Sequence, residues 1–293
     1  MEMFHGTGVA MVTPFNSDGG VDYAGLENLI NYLINGGVNY LVSLGTTGES
    51  ATLSKEEKKK VWAFTAEKVN KRVHLVAGIG GNNTYEVVET VKQFDTTGYD
   101  AILSASPHYN KPIQEGIYQH YKAIAEASPL PIILYNVPGR TGSNVSAETT
   151  VRLAHDFSNI IGIKEASGNF DQFNQIMRDK PDSFLFISGD DPVTLPMMSL
   201  GAVGVISVVG NAVPKQFSDM IKLCAAGDFK AAQEAHYRFI DFTRLMFSEG
   251  SPGGVKTALK QLGVCGDTLR LPLVQVSSTT ADKIAVELKK IVG

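Results

Sequence analysis

One lysine stands inside an apolar run, where a charged side chain is costly. The run IIGIKEASGNF, residues 160–170, contains three isoleucines and places Lys164 between Gly162 and Gly168. Isoleucine-rich runs of this length are typical of buried strands, and a lysine is rarely buried unless it is paired or has lost its proton. The simplest structural interpretation is a strand-end lysine whose stem is covered while its ammonium group reaches water. The chemical interpretation is a neutral amine, which is a nucleophile.

Other polar residues stand at or just after the ends of other apolar runs. They are Thr46 and Thr47 in GTTGES, His108 and Tyr109 in SPHYNKP, Tyr135, Arg140, Gly189 with Asp190 and Asp191, and Ile206 with Ser207. Each of these residue types also has a common structural role: a tyrosine often packs in the core, a threonine often caps a helix, and an arginine often forms a surface ion pair. Glu165 points away from Lys164 if the strand alternates, and we interpret it as a structural residue paired near the rim.

A lysine accompanied by hydroxyl groups, without a metal motif, indicates Schiff-base chemistry on a carbonyl substrate. A free lysine has a pKa of about 10.4 and is almost wholly protonated at neutral pH. Burial penalises the ammonium form, and about 4 kcal/mol of differential desolvation is enough to lower the pKa of a lysine by roughly 3 units. A tyrosine hydroxyl could then carry protons between intermediates. Because the imine withdraws electrons, a neighbouring carbon can become an enamine and form a carbon–carbon bond.

Eight short apolar runs must position these residues. They are residues 8–14, 40–45, 73–80, 101–107, 131–138, 160–167, 184–190 and 204–210. Several are apolar throughout, which is typical of parallel strands covered on both faces. Amphipathic segments lie between them, and Ser54 with Glu57 forms a capping box at the start of one. Eight such units predict an α/β fold, the (β/α)8 TIM barrel, whose active sites lie where the strands end.

The competing fold is a doubly wound open sheet. Such sheets more often have fewer strands and a nucleotide-binding first turn, but the first run here continues into TPFNSDGG. The glycine-rich GIGGNN at 78–83 follows the third run and lacks an acidic partner at the expected distance. From about residue 214 the pattern is helical only, so we predict a barrel over 1–225 and a helical C-terminal extension over 226–293 packed on it.

Composition narrows the function classes. The chain has 43% hydrophobic and 19% charged residues and a formal net charge of −4, which gives no support to a nucleic-acid or membrane partner. No apolar stretch approaches the roughly 20 residues that span a bilayer, and the N-terminus lacks a signal-peptide pattern. Two cysteines in unrelated contexts, Cys224 and Cys265, predict a reduced, cytoplasmic protein. The six histidines show no metal-ligand spacing, so no metal site is predicted.

Taken together, several stretches resemble a known enzyme family. GTTGES, SPHYNKP, YNVPGRTG, IGIKEASG, SGDD and GVISV occur in the order and at the barrel positions found in the 4-hydroxy-tetrahydrodipicolinate synthase (dihydrodipicolinate synthase) family. The resemblance spans essentially the whole chain, and its motifs are specific only in combination. It implies a metal-independent lyase that needs no cofactor and condenses pyruvate with L-aspartate 4-semialdehyde, the entry step to diaminopimelate and lysine.

The resemblance also implies roles for individual residues. Lys164 would form the imine with pyruvate, and Tyr135 would donate and accept protons. Thr46 and Tyr109 would complete a proton relay, with Tyr109 reaching in from the neighbouring subunit of a tight dimer. The family suggests a homotetramer made of two such dimers.

The remaining implied roles concern substrate binding. Thr47 and the backbone of Ile206 would bind pyruvate, with Gly189 among the substrate-binding residues. Arg140 would clamp the carboxylate of the semialdehyde, since a planar guanidinium bonds a carboxylate through two hydrogen bonds.

Two alternatives remain open. A related aldolase or lyase acting on N-acetylneuraminate or 2-keto-3-deoxygluconate would share the lysine, the tyrosine and the glycine-threonine loop. Arg140 favours the synthase, because neuraminate lyases usually lack an arginine after this turn. A keto-acid-binding paralogue without catalysis is the other alternative, although a binding module needs no nucleophilic amine.

A possible effector site departs from the pattern of lysine-sensitive family members. Asn82 and Glu86 match residues that bind lysine in those members, and Ser50 and His108 belong to the same candidate site. Lys55 and Lys58 stand where histidines are often found, and His108 replaces a tyrosine that many members carry. Because two added ammonium groups oppose a cationic effector, we expect lysine inhibition to be weak or absent.

Overall fold

Eight short strands follow one another around a closed parallel sheet, in sequence order. The structure is a computed structural model that describes residues 2–293. Gly8 on the first strand pairs with Tyr40 on the second and Ile206 on the eighth, which closes the ring. The strands are β1 (Gly6–Ala10), β2 (Tyr40–Ser43), β3 (His74–Gly78), β4 (Ala101–Ala105), β5 (Ile132–Asn136), β6 (Ile160–Glu165), β7 (Leu185–Ser188) and β8 (Gly204–Ser207).

Helices connect the strands and continue beyond the last one. Those between strands are α1 (Tyr23–Asn35), α2 (Lys55–Val69), α3 (Thr84–Lys92), α4 (Gln114–Ala127), α5 (Pro138–Thr141), α6 (Ala147–Asp156), α7 (Phe170–Asp179) and α8 (Thr194–Ser199). After β8 come α9 (Pro214–Ala225), α10 (Phe229–Phe247), α11 (Gly253–Gln261) and α12 (Ser278–Val292). The predicted (β/α)8 TIM barrel with C-terminal helices is therefore confirmed.

The strands are shorter than the apolar runs that predicted them. The first run was expected over 8–14, whereas β1 ends at Ala10. The Met11 amide still donates to the Val42 carbonyl of β2 at 3.0 Å, and both Met11 and Val12 stay buried beyond the strand. Burial continues past the last strand pairing because the loops at this end cover the core. An apolar pattern records burial and cannot locate the end of hydrogen bonding. The loops that leave β2, β4 and β7 begin inside the predicted runs for this reason.

Two apolar layers hold the barrel together. The inner layer fills the barrel with side chains from alternate strand positions, among them Val42, Leu103 and Ile187. The outer layer lies between sheet and helices, and it includes Leu41 and Phe186 from neighbouring positions on the same strands. This alternation places every second strand residue in the interior, as the pleat of a strand requires.

A register shift in β6 sets the direction of Lys164. Ile132 pairs with Ile160, but the next residue of β5, Ile133, pairs with Gly162, so Ile161 is an extra residue. Such bulges re-aim side chains next to active sites. After the bulge, Lys164 stands opposite the inward-facing Tyr135 and therefore faces the barrel interior.

The C-terminal helices share the outer apolar layer of the barrel. Phe239 and Phe242 of α10, Leu259 of α11 and Ile284 of α12 belong to the same buried cluster as the strand residues. α10 packs on both α8 and α9. A boundary between residues 225 and 226 stays a prediction. Each helix within residues 2–293 is too short or too polar to span a bilayer.

Candidate active site

Lys164 lies near the end of β6 inside the barrel and is 4% exposed. It pairs with Tyr135 of β5 on one side and Ile187 of β7 on the other. Its amine lies 4.3 Å from the centre of the Tyr135 ring. Because the side chain is buried, the interpretation in which its ammonium group reaches bulk water is excluded. Lys164 and Tyr135 are therefore brought together as predicted.

Gly189, just after β7, packs directly against the stem of Lys164. A Cβ atom at this position would lie 3.0 Å from Cγ of Lys164 and 2.8 Å from Cβ of Ala166. The amide of Gly189 donates to the Glu165 carbonyl at 2.8 Å. Only a glycine lets the backbone approach the lysine this closely.

Tyr135 is 6% exposed and its ring belongs to the inner apolar layer. A buried tyrosine beside an amine can exchange a proton with an intermediate without adding a permanent charge to the site. The Lys164 amine lies over the Tyr135 ring, which places the tyrosine beside the lysine, and its role in proton transfer stays a prediction.

Glu165 points away from Lys164, as the alternation predicted, and is fully buried. Its carboxylate accepts from Nδ2 of Asn136 at 3.0 and 3.1 Å, from the Ser167 amide at 2.7 Å and from Nε2 of Gln172 at 2.9 Å. Burial raises the pKa of Glu165, and these hydrogen bonds act in the opposite direction. The partners that pair with this carboxylate are all amide groups. The residue is structural, and it ties β5, β6 and α7 together behind Lys164.

The same network holds the loop that carries Arg140. Oδ1 of Asn136 accepts from the Val145 amide at 3.0 Å, and its Nδ2 donates to Oδ1 of Asn144 at 2.8 Å. Arg140 itself lies on the short helix α5 and is exposed. A fixed backbone thus carries an exposed guanidinium, which can bind an anionic group. Sequence reasoning missed Asn136 and Asn144, because amides in loops give no pattern until their partners are known.

Thr46 and Thr47 form a short 3-10 turn after β2. Thr47 is buried and Thr46 is exposed. The turn is fixed at Gly48, whose carbonyl accepts from Oγ1 of Thr13 at 2.7 Å and whose amide donates to the Gly45 carbonyl at 3.0 Å. The turn can present hydroxyl and backbone N–H groups to a small anion at the barrel mouth.

Tyr109 lies in the loop after β4 and is 87% exposed. Its backbone is in the left-handed region, with φ of 71°, and its amide donates to the Thr141 carbonyl at 3.2 Å. Within residues 2–293 of a single chain, no side-chain hydrogen bond joins Tyr109, Thr46 and Tyr135. The predicted relay among these three hydroxyl groups stays a prediction.

Two acidic residues follow Gly189. Burial, together with the neighbouring Asp191, raises the pKa of Asp190 to about 6, and the Lys164 charge acts in the opposite direction. Burial also raises the pKa of Asp191, whose Oδ2 accepts from the amides of Val208 and Val209 at 3.0 and 3.1 Å. Asp191 thus fixes the turn after β8. Ile206, the remaining predicted substrate residue, is buried in β8 and belongs to the inner layer.

The possible effector residues lie away from the barrel interior. Nδ2 of Asn82 donates to the His108 carbonyl at 3.3 Å, so these two residues are neighbours. Glu86 is in the first turn of α3, and Ser50 is in the 3-10 turn Ser50–Thr52. Burial lowers the pKa of Lys58, and the charge of Lys55 lowers it further.

No metal-ligating cluster is present in the described part of the chain, where no three His, Cys, Asp or Glu side chains group in that way. A second buried lysine, Lys256 of α11, was also missed by sequence reasoning. Its position within an amphipathic helix is typical of ordinary surface lysines, and nothing local marks it.

Comparisons with known proteins agree with this geometry. The model of the "Dihydrodipicolinate synthetase family" matches residues 3–291. The 4-hydroxy-tetrahydrodipicolinate synthase of Phocaeicola vulgatus is 53% identical over 286 residues, covering 98% of this chain and 96% of that protein. That of Flavobacterium psychrophilum is 52% identical over 291 residues, with 99% of each chain covered. The crystal structure of dihydrodipicolinate synthase from Aquifex aeolicus superposes with a TM-score of 0.95 at 42% identity, covering 98% of both chains.

These matches run from end to end and include the C-terminal helices as well as the barrel. The curated relatives are about half identical over nearly the full length, and the solved structure shares the fold. The chain therefore belongs to the dihydrodipicolinate synthetase family.

Proposed function

We propose that the chain catalyses condensation of pyruvate with L-aspartate 4-semialdehyde, through an imine on Lys164, to give 4-hydroxy-tetrahydrodipicolinate. The proposal makes it a lyase at the entry to diaminopimelate and lysine synthesis. The single observation that carries the mechanism is the buried Lys164 amine, 4.3 Å from the Tyr135 ring. An amine at this position can attack a carbonyl carbon to form an imine, next to a tyrosine able to exchange the protons of the reaction.

The proposed reaction proceeds through an imine and then an enamine on Lys164. The lysine nitrogen attacks the ketone carbon of pyruvate, and loss of one water from the carbinolamine gives the imine. Loss of a proton from the methyl group gives an enamine, whose carbon attacks the aldehyde carbon of the semialdehyde and forms the new carbon–carbon bond. The amino group of the semialdehyde then displaces Lys164 from the imine carbon, which closes the ring and returns the free amine. One water is released overall.

Tyr135 donates and accepts the protons of these steps in the proposal. Thr46 and Tyr109 extend the relay, with Tyr109 supplied by the neighbouring subunit. The exposure of Tyr109 in a single chain supports this arrangement, since the hydroxyl is free to reach another copy. Each proton-transfer group of this kind contributes about 100- to 10,000-fold in rate.

Binding roles follow from the positions of the remaining residues. The pyruvate carboxylate is assigned to Thr47 and the backbone of Ile206, with Gly189 alongside. Arg140 is assigned to the carboxylate of the semialdehyde, which its exposure and fixed backbone support. The chemistry proceeds through a covalent imine with the substrate itself, so the proposal includes no cofactor.

The assembly proposed is a homotetramer of two tight dimers, in which each active site receives Tyr109 from its dimer partner. Sedimentation analysis at several protein concentrations tests it. A monomer with full activity would contradict the shared relay. The unpaired Cys224 and Cys265 support the proposed cytoplasmic location.

Weak or absent inhibition by L-lysine is part of the proposal. The candidate effector site comprises Ser50, Asn82, Glu86 and His108. Burial and the charge of Lys55 lower the pKa of Lys58, and a further ammonium group bound nearby would add to the repulsion between charges. Calorimetric titration with L-lysine is expected to show no tight binding, and a tight, saturable isotherm would refute this part.

The function is tested by assaying wild type and Lys164→Ala with pyruvate and L-aspartate 4-semialdehyde. Wild type is expected to form product, and the variant is expected to be inactive while remaining folded. N-acetylneuraminate and 2-keto-3-deoxygluconate serve as competing substrates. Cleavage of either sugar acid, without activity on the semialdehyde, would favour the aldolase. Binding of pyruvate without any reducible adduct would favour a non-catalytic paralogue.

A further inference from the structure

Glu49 and Lys256 form a buried ionic contact behind the Thr46–Thr47 turn. Both side chains are 0% exposed, and Nζ of Lys256 lies 2.5 Å from Oε1 of Glu49. Glu49 follows β2 on the barrel, whereas Lys256 belongs to α11, after the barrel has closed. The amine also donates to the Thr268 carbonyl at 2.8 Å. A buried charge pair of this kind is strongly coupled, because removing one partner leaves the other uncompensated.

Arg270 makes a second connection from the C-terminal segment to the same region. Its backbone amide donates to Oε2 of Glu49 at 3.1 Å. Its guanidinium donates to the Thr52 carbonyl at 2.9 Å and forms an ion pair with Glu57, the capping-box residue of α2. The pair holds the pKa of Glu57 low, at about 2. The segment from Lys256 to Arg270 therefore contacts the chain from Glu49 to the start of α2.

Glu49 connects the C-terminal segment to the Thr46–Thr47 turn. Its backbone adopts the left-handed conformation, with φ of 52°, and its amide donates to the Thr46 carbonyl at 3.1 Å. A non-glycine residue in this conformation persists only where its surroundings hold it. Both carboxylate oxygens of Glu49 are bound by the C-terminal segment, and its backbone is bonded to the turn.

We propose that Glu49 is a positioning residue for pyruvate, held by Lys256 and Arg270, so that the C-terminal extension sets the geometry of the Thr46–Thr47 turn. The inference rests on the proposed function, which assigns the pyruvate carboxylate to Thr47. Glu49 is not among the functional residues predicted from the sequence, although it lies inside the GTTGES stretch. The effect is expected on pyruvate and not on the semialdehyde, because Arg140 is held by the separate Asn136 network.

The test is the double variant Glu49→Gln with Lys256→Met, which removes both charges and leaves neither one unpaired. The KM for pyruvate is expected to rise about 10- to 100-fold, since a displaced turn loses hydrogen bonding to the charged carboxylate of pyruvate. The KM for the semialdehyde and the thermal midpoint are measured in parallel. Lys260→Met is the matched control, because Lys260 is an exposed residue of the same helix that pairs with Asp267.

A folded double variant with wild-type KM for pyruvate would overturn the proposal and leave the pair a structural one. If the double variant does not fold, Glu49→Asp replaces it, because this change keeps both charges and draws the carboxylate back by one carbon. A folded Glu49→Asp enzyme with unchanged KM for pyruvate would overturn the proposal equally. Failure of the wild type to form a borohydride-reducible imine would instead refute the proposed function, and this inference with it.

Discussion

Gly189→Ala is the substitution that tests most directly whether the residues packed against Lys164 position its amine. The added Cβ would lie 2.8 Å from Cβ of Ala166, 3.0 Å from Cγ of Lys164 and 3.1 Å from the Glu165 carbonyl oxygen. Comfortable carbon contacts are about 3.5–4.0 Å, so these neighbours must retreat by about 0.5–1 Å. The lysine stem is the more mobile neighbour, since the other two contacts involve backbone or a short side chain.

A shift of about 1 Å at the nucleophile can cost about 100-fold in rate, which corresponds to about 2.7 kcal/mol of transition-state stabilisation. Overpacking alone costs about 1–3 kcal/mol of stability. We therefore expect kcat/KM to fall about 100-fold while the protein remains folded, with a lowered thermal midpoint.

The assay measures kcat/KM and the rate at which borohydride traps pyruvate on the enzyme, because trapping reports the lysine without the second substrate. Gly266→Ala is the control, since a Cβ there would have its nearest neighbour, the Phe15 carbonyl oxygen, at 3.8 Å. A Gly189→Ala enzyme that traps pyruvate at the wild-type rate would show that the residues packed against Lys164 do not position its amine.

Three further substitutions test separate parts of the site. Tyr135→Phe is expected to lower kcat about 100- to 10,000-fold with little change in stability, measured by steady-state kinetics and thermal unfolding; a loss below tenfold would remove it from proton transfer. Arg140→Ala is expected to raise the KM for the semialdehyde roughly 10- to 100-fold, the worth of a charged hydrogen bond, whereas an equal rise for pyruvate would contradict its role. Because the pKa of Asp190 is raised from 3.8 to about 6, the folded state binds its proton more tightly than the unfolded chain. Its contribution to stability is present at low pH and lost as pH rises through about 6. Asp190→Asn is therefore expected to raise the thermal midpoint at pH values above about 6 and to leave it unchanged at pH values below 3.8. An equal rise at every pH would contradict a raised pKa for Asp190.

The fold was predictable because the sequence repeats one signal eight times. Each apolar run became a strand, and the Ser54 capping box formed as expected, with Ser54 and Glu57 bonded in both directions. The ends of the strands were not predictable, since burial continues past the ladder. Nor was the bulge at Ile161, because a register shift depends on the neighbouring strand and leaves no local pattern.

The residues at the centre of the site were more predictable than the residues that hold them in place. Lys164 was recognisable because a charge in an apolar run is exceptional, and its meeting with Tyr135 follows from their positions on adjacent strands. Glu49 and Lys256 carried no such signal, since each is ordinary in its own segment and the pair exists only in three dimensions. The amide partners of Glu165 were hidden for the same reason.

The central claim is that the buried amine of Lys164 captures a 2-oxo acid covalently. It is tested by reducing the protein with borohydride in the presence of pyruvate and locating the adduct by peptide mass spectrometry. A single modified peptide, the one containing Lys164, is expected in the wild type, and no adduct is expected in Lys164→Ala. An adduct on another lysine, or an unmodified protein after reduction, would contradict it.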